Sequence, residues 1–366
     1  MRRKPPPLGG GFLLSGGYLP RVSEEQQMET TTKVLVIRFS SMGDIILTSP
    51  IVRALHVMLD GVVELHFLTK AVFSEAVTGL DGVARVWTID RTTVEVESAL
   101  RREEFHYVVD LHANARSGFV KRALRKGEGR TFDLTVDKRS LGKILLVRTG
   151  WDRLDGQHVV ERYLDTLKPF GDALQRLREE GDEGQLALPP VTSSSAESVD
   201  VVLALGAAHH GKAIPEDHWS AVVAGLVAEG RKVHLIGGPA EKGLADRLVE
   251  AAGEQVVNAC GSSWTETFSL LSKAALLVAG DTGAMHAGSA LQVPMVVVWG
   301  CTSPALGMGP WRAHPATVEL EPEGPERSRP CSRLGDRCRH RTPCIRRVSP
   351  QRILAAVRHI LSQTAP

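Results

Sequence analysis

The chain has 366 residues, 43% of them hydrophobic and 23% charged, which fits a folded globular protein of two domains at roughly 100–200 residues each. A formal net charge of +2 excludes a general nucleic-acid coat, and no run approaches the roughly 18 apolar residues of a membrane span. In chain order, residues 1–32 are rich in Pro, Gly and polar residues and are predicted to be a disordered extension, with Met28 placed to serve as an alternative start. Its basic beginning (Arg2, Arg3, Lys4) precedes only Gly-Phe-Leu-Leu, too short for the apolar core of a signal peptide, so a cytoplasmic protein is expected. Lys33–Phe39 is a β-branched strand run, broken by Ser-Ser-Met-Gly, and Ile45–Leu59 reads as a helix. Further strands are predicted at Val63–Leu68, Val86–Ile89 and Tyr107–Leu111, with helical stretches between them. Near-continuous apolar strands alternating with helices signal a parallel sheet covered on both faces.

Around Leu174–Val199 the pattern lapses into charged and small polar residues, including Pro189-Pro190 and Ser193-Ser194-Ser195, which reads as a linker. The alternation then resumes, with strands predicted at Asp200–Leu205, Lys232–Ile236, Ala275–Ala279 and Met295–Trp299. Pro215 suits the first position of a helix and Gly230 its stop. The fold class is therefore α/β, two doubly wound Rossmann-like domains facing a cleft, because open parallel sheets bind ligands beyond the carboxyl ends of their strands. The divisions expected are an extension at 1–32, a first domain at 33–173, a linker at 174–198, a second domain at 199–348 and a C-terminal helix within 349–366. That helix carries apolar residues at 353, 354, 357, 360 and 361, one stripe in need of a surface.

Charge is uneven along the chain: residues 116–148 hold ten Lys/Arg against three Asp/Glu, and residues 327–347 eight against one. Such patches suit an anionic ligand at defined places, or simply solvated faces. Five cysteines do not make a disulfide framework in a chain this long. Cys331, Cys338 and Cys344 cluster with His340 between them, but their spacing lacks the tight pairs of structural zinc; a reduced, packed loop and no metal are expected.

The clearest chemical signal is LLVAGDTGAMHAGSAL, beginning at Leu276, where a buried strand ends in Gly280-Asp281-Thr282-Gly283 and a small-residue helix starts at once. Free amide N–H groups and the helix dipole at such a start favour a phosphate. Thr282 can donate its hydroxyl, Gly283 permits close approach, and His286 lies one turn onward. A second glycine-rich turn, Gly237–Glu241, offers the Glu241 carboxylate to ribose hydroxyls, and GAAHHGKAIPEDHW from Gly206 places Lys212 in a loop after a strand. Lacking the Lys-Ser/Thr pair of a Walker loop and a GxGxxG after the first strand, the chain reads as neither a P-loop ATPase nor an NAD dehydrogenase. No carboxylate cluster suggests a divalent ion, so Lys212, Thr282, Gly283 and His286 are expected to offset a diphosphate directly. Asp44, just after the first strand, reads either as a helix cap or as a general base across the cleft. The helix start should lower its pKa and domain closure raise it again.

FSSMGDIILTSP (39–50) and GDTGAMHAGSALQVPMVVVWGCTSP (280–304) resemble the bacterial lipopolysaccharide heptosyltransferases, glycosyltransferase family nine, of GT-B architecture. The likeness is weaker at DLHANARS (110–117), at HVVERYLDTLKPFG (158–171) and in the cysteine-bearing tail. It implies a metal-independent, inverting transfer of heptose from ADP-heptose to the lipopolysaccharide inner core. Asp44 would be the catalytic base, Asp281, Thr282, Gly283 and His286 the donor turn, Lys212 the phosphate lysine and Glu241 the ribose acid. Arg116, Lys121 and Arg122 would meet the anionic acceptor. It also implies that the final helix crosses back onto the N-terminal domain, and that the enzyme needs no cofactor beyond its ADP-sugar substrate. The partners implied are a nucleotide-sugar donor and a lipopolysaccharide-core acceptor at the inner face of the membrane, with no nucleic acid. Localisation is then cytoplasmic, with peripheral membrane association allowed. The chain departs from the family where Ala213-Ile214-Pro215 follows Lys212 in place of Arg-Trp-Pro, and where Ala207 and Ala208 replace hydroxyl residues of some members. Donor phosphates should therefore be held somewhat differently. Alternatives are a transferase for another nucleotide sugar, a nucleotide-sugar epimerase, or a non-catalytic nucleotide-sugar binder.

Overall fold

The structure is a computed structural model that describes residues 31–125, 131–191, 199–324 and 329–364. All but the last two residues of the predicted extension, and Ser193–Ser195 of the predicted linker, lie outside the described residues.

The apolar runs of the first half form five strands: β1 (Thr31–Ile37), β2 (Val62–Lys70), β3 (Arg85–Ile89), β4 (Tyr107–Asp110) and β5 (Phe132–Thr135). They pair wholly in parallel in the order β3-β2-β1-β4-β5. Helices of this half are α1 (Met42–Ile46), α2 (Ser49–Met58), α3 (Val94–Arg102), α4 (Ala115–Leu124), α5 (Ser140–Thr149), α6 (Val159–Leu164) and α7 (Ala173–Glu179). The single helix expected over Ile45–Leu59 is two, because the chain turns at Leu47-Thr48 and restarts with Pro50 in the first turn of α2. Within the expected linker, α7 is a regular helix that buries Ala173 and Leu177 against α2 and α6. Its three apolar positions, Ala173, Leu174 and Leu177, are set among charged neighbours and are too few to register as a helical stripe.

The second half repeats the scheme with β6 (Val199–Ala204), β7 (Val233–Ile236), β8 (Val256–Asn258), β9 (Ala274–Gly280), β10 (Met295–Val298) and β11 (Val318–Leu320). Their order, β11-β10-β9-β6-β7-β8, is again all parallel. The helices are α8 (Glu216–Ala228), α9 (Lys242–Ala252), α10 (Trp264–Leu271), α11 (Gly283–Ala290) and α12 (Pro350–Thr364). Pro215 caps α8 and Gly230, at φ +75°, ends it. Both sheets have the doubly wound order, with strand order reversing between β1 and β4 and between β6 and β9.

One apolar core runs from the inner face of the first sheet through α2, α6 and α7 and on to α10, α11 and the inner face of the second sheet. The outer faces are covered separately, by α3 and α4 in the first half and by α8, α9 and α12 in the second. The last helix therefore does not cross to the N-terminal domain. Ile353, Leu354, Val357 and Ile360 pack on α8, β9 and β10 with Val201, Leu203 and Trp219. The second sheet offers a fully apolar outer face, and Gly225 lets the Leu354 side chain seat directly on α8: a Cβ there would stand 2.6 Å from Leu354 Cδ1.

Hydrogen bonds and a ring stack tie the halves together. Val159 N–H donates to Gly307 O (2.8 Å), Arg162 Nη2 to Leu306 O (3.0 Å) and Trp311 Nε1 to Gly184 O (2.7 Å), while His158 stacks on Trp311.

Candidate active site

The loops leaving β1 and β9, each beside its sheet's reversal point, face one another. There α1 and α11 meet at their first turns through glycine. A Cβ on Gly43 would lie 2.4 Å from His286 Cδ2, and one on Gly283 would lie 3.2 Å from Met42 Cβ. No side chain larger than hydrogen fits at either position without moving the partner. Around this contact opens a cleft of about 1100 Å³, lined by Asp44 on one wall and by Lys212, Glu241, Asp281, Thr282, Gly283 and His286 on the other.

Asp44 belongs to the capping box of α1, with Ser41 as the N-cap, and lines the cleft. Its Oδ2 accepts from Ser41 N (3.1 Å) and Ser41 Oγ (2.9 Å), and its Oδ1 pairs with Arg38 Nη2 at 2.7 Å. Burial pushes its pKa up, but the Arg38 charge and the Ser41 bonds outweigh that and hold it at about 2. The rise on closure expected from the sequence is thus overturned by a neighbour, Arg38, whose other amino group donates to Leu111 O at 2.6 Å.

On the opposite wall, Thr282 is the N-cap of α11, yet its side chain makes no capping bond, and its buried hydroxyl has no partner among the described residues. His286 is buried, and its Nδ1 is likewise without a partner there. Burial brings its pKa down to about 4, so at neutral pH the ring offers a hydrogen bond and no charge. Lys212 Nζ pairs with Asp281 Oδ2 at 2.7 Å, so Asp281 holds the lysine over the turn instead of facing a ligand alone. Glu241 lies across Gly206 and Gly238, where an added Cβ would come within 3.0 and 3.2 Å of its carboxylate.

Arg116, Lys121 and Arg122, expected on the acceptor side, do not line this cleft. Lys121 is turned to neutralise the buried Asp110 (Nζ–Oδ2 3.0 Å), Arg116 lies over the Phe39 ring and Arg122 over Phe119. Besides Lys212, the Lys and Arg side chains that do line it are Arg38, Lys138, Lys143, Arg162 and Arg333. Lys138 and Lys143 belong to the same basic segment, 116–148, as the three residues expected there. Burial and the Arg162 charge bring Lys143 down to about 8. Arg162 is 4% exposed, and its Nε and Nη1 have no partner among the described residues. A buried guanidinium with idle N–H groups beside a second cation costs free energy that a bound anion would offset. Arg38 had a sequence signal, a lone charge inside the run KVLVIRF. Lys143 and Arg162 had none, since each sits on a helix of mixed composition.

Two doubly wound domains with a shared cleft, a carboxylate on one wall and a phosphate-ready helix start on the other, are the GT-B architecture. The family model "Glycosyltransferase family 9 (heptosyltransferase)" matches residues 93–335, about two thirds of the chain, and the chain belongs to that family of glycosyltransferases. Lipopolysaccharide heptosyltransferase 1 of Pseudomonas aeruginosa is 27% identical over 357 residues, spanning 90% of this chain and 98% of that one. The Escherichia coli ADP-heptose lipopolysaccharide heptosyltransferase II superposes with a TM-score of 0.69 at 18% identity, covering 92% of this chain and all of the other. The E. coli heptosyltransferase WaaC with ADP gives 0.64 at 19% identity, over 91% and 100%. No helix among the described residues is long and apolar enough to cross a membrane.

Proposed function

We propose that the chain transfers a heptose from ADP-heptose to a hydroxyl of the lipopolysaccharide inner core, by a metal-independent displacement that inverts the anomeric carbon. Residues 33–173 would hold the acceptor and residues 199–348 the donor, joined through 174–198. The acceptor oxygen attacks the anomeric carbon, its proton passes to Asp44, and the bond to ADP breaks. The charge left on the diphosphate is met by Lys212, the Thr282 hydroxyl, the His286 ring and the free amides opening α11. Glu241 accepts from the ribose hydroxyls.

The observation that carries this reading is the Gly43–His286 approach, which sets the Asp44 wall against the α11 start in one cleft. The buried hydroxyl of Thr282, unused in capping, supports a ligand there. Asp44 and Asp281 are already engaged by cations, Arg38 and Lys212 respectively, an arrangement that favours cationic side chains over a divalent ion at the diphosphate. The named relatives act on the same acceptor class, and one was solved with ADP. Arg162 and Lys143 supply the site for an acceptor anion. An anion that also draws on Arg38 would relax its hold on Asp44 and let the carboxylate become a stronger base. A lipid-borne acceptor would bring the protein to the inner face of the cytoplasmic membrane.

The test incubates purified protein with ADP-heptose and a panel of truncated lipopolysaccharide cores, and reads sugar addition by mass spectrometry. Addition of one heptose to a core is expected. Asp44→Asn should keep ADP affinity and lose turnover by at least ~10²-fold, whereas Lys212→Ala should weaken ADP binding in calorimetry. Absence of transfer to every core by protein that binds ADP would defeat the acceptor assignment, and full turnover in Asp44→Asn would defeat the base.

A further inference from the structure

The fold joins a fourth cysteine to the three that cluster in the sequence. Cys301, in the loop after β10, meets Cys331, Cys338 and Cys344, and all four sulfurs lie within 4.8 Å of one another. His340, which the sequence places among them, is not one of the set. We propose that these four cysteines bind one tetrahedral, thiophilic divalent cation, zinc or ferrous iron, which holds residues 329–344 over the Lys212 loop.

The geometry points to a single ion. Sulfur separations are 3.6 Å for Cys331–Cys344, 3.6 Å for Cys338–Cys344 and 4.0 Å for Cys331–Cys338. Metal–sulfur bonds of about 2.3 Å in a tetrahedron put neighbouring sulfurs about 3.8 Å apart. Disulfides are absent among these residues, and an iron–sulfur cluster would spread its thiolates more widely. The Cys344 N–H is directed at Cys338 Sγ (3.4 Å), so a sulfur here already acts as acceptor, as thiolate ligands do. Cys301, Cys331 and Cys344 are fully buried and Cys338 is half-buried, which limits water's access to the ion. Four thiolates and a divalent ion carry a charge of −2. Three of the four cysteines lie in sequence within the basic stretch 329–347, seven Arg against one acid, for which the transfer reaction had only a partial use. Arg329 already reaches across to Gly300 O and Thr302 O on either side of Cys301.

The consequence for the cleft follows from the strand-like contacts of the same loop. Cys331 N–H donates to Cys301 O (2.7 Å), Cys301 N–H to Gly211 O (2.9 Å) and Gly211 N–H to Gly335 O (3.0 Å). Gly335 presses on the Lys212 stem, where a Cβ would come within 2.6 Å, and Arg333 and Leu334 form part of the cleft wall. An ion at the four sulfurs would therefore hold the lysine loop indirectly. The ion site stands without the transferase reading; only this consequence for Lys212 rests on it.

The test measures metal in the full chain purified without chelator, by plasma mass spectrometry. About one equivalent of zinc or iron per chain is expected, falling in Cys301→Ser and Cys338→Ser. Because such variants can misfold, wild-type protein stripped of metal is also titrated with cobalt(II), and should develop thiolate-to-cobalt absorption and the visible bands of a tetrahedral four-sulfur site. Trypsin should then cut the stripped protein within 329–344 faster than the loaded one. Purified protein without metal that yields no such cobalt spectrum would overturn the site. Equal trypsin sensitivity with and without metal would overturn the clamp.

Discussion

Gly43→Ala is the most direct probe of the cleft. The added methyl would stand 2.4 Å from His286 Cδ2 and 3.4 Å from Gly283 Cα. Ordinary carbon contacts are about 3.5–4.0 Å, so the two surfaces must part by about 1 Å. The His286 ring is 2% exposed, so the relief expected is a shift of α1 away from α11, which carries Asp44 away from the donor wall. A displacement of this size typically costs ~10²-fold in rate, and overpacking should cost about 1–3 kcal/mol of stability. Steady-state ADP release should show kcat down by ~10², with ADP affinity in calorimetry falling far less, and far-ultraviolet dichroism unchanged. A folded Gly43→Ala protein with wild-type turnover would refute the claim that this glycine contact sets the catalytic distance.

Three further outcomes follow from the charges. With Asp44 held at about 2, wild-type kcat/KM should show no acid limb from this group in the range where the protein is folded; in Arg38→Gln, burial is opposed only by Ser41, so an acid limb should enter the measurable range, and an unchanged profile would argue against the base. Lys143→Ala should raise the acceptor KM and leave ADP affinity untouched; an equal loss of ADP binding would move Lys143 to the donor side. His286 falls from 6.5 to about 4 on burial, so the unfolded chain takes up its proton first; the stability it carries is complete above about pH 6.5 and is lost as pH falls toward 4, at about 1.4 kcal/mol per pH unit and roughly 3 kcal/mol in all. Asp44 acts lower, its stabilisation being present above its ordinary 3.8 and lost as pH falls through about 2. Denaturation midpoints at pH 7 and pH 5 that coincide would contradict the buried neutral histidine.

The reach of the sequence can be traced residue by residue. The strands at Lys33–Phe39, Ala275–Ala279 and Met295–Trp299 were readable because a parallel strand buried on both faces is a continuous apolar run, and the glycine-rich turns after them are local events. Asp44 and the Asp281–His286 turn were legible for the same reason: each follows its own strand directly, and a doubly wound fold sends every such turn to the same edge. By contrast, β5 and β8 are short and flanked by charge, and α7 is too polar to announce its two buried residues.

The sequence by itself thus determined the two parallel sheets and the turns that follow their strands. Only the tertiary structure decided which distant groups meet: Arg38 on Asp44, Asp281 on Lys212, Cys301 with three cysteines thirty or more positions onward, and α12 on its own domain's sheet. It also turned Lys121 toward Asp110 and left Lys143 and Arg162 facing the cleft. Local patterning encodes where an element lies and which of its faces is apolar. The partner of a charge or a thiol depends on packing between segments far apart in the chain, and no window of sequence contains both.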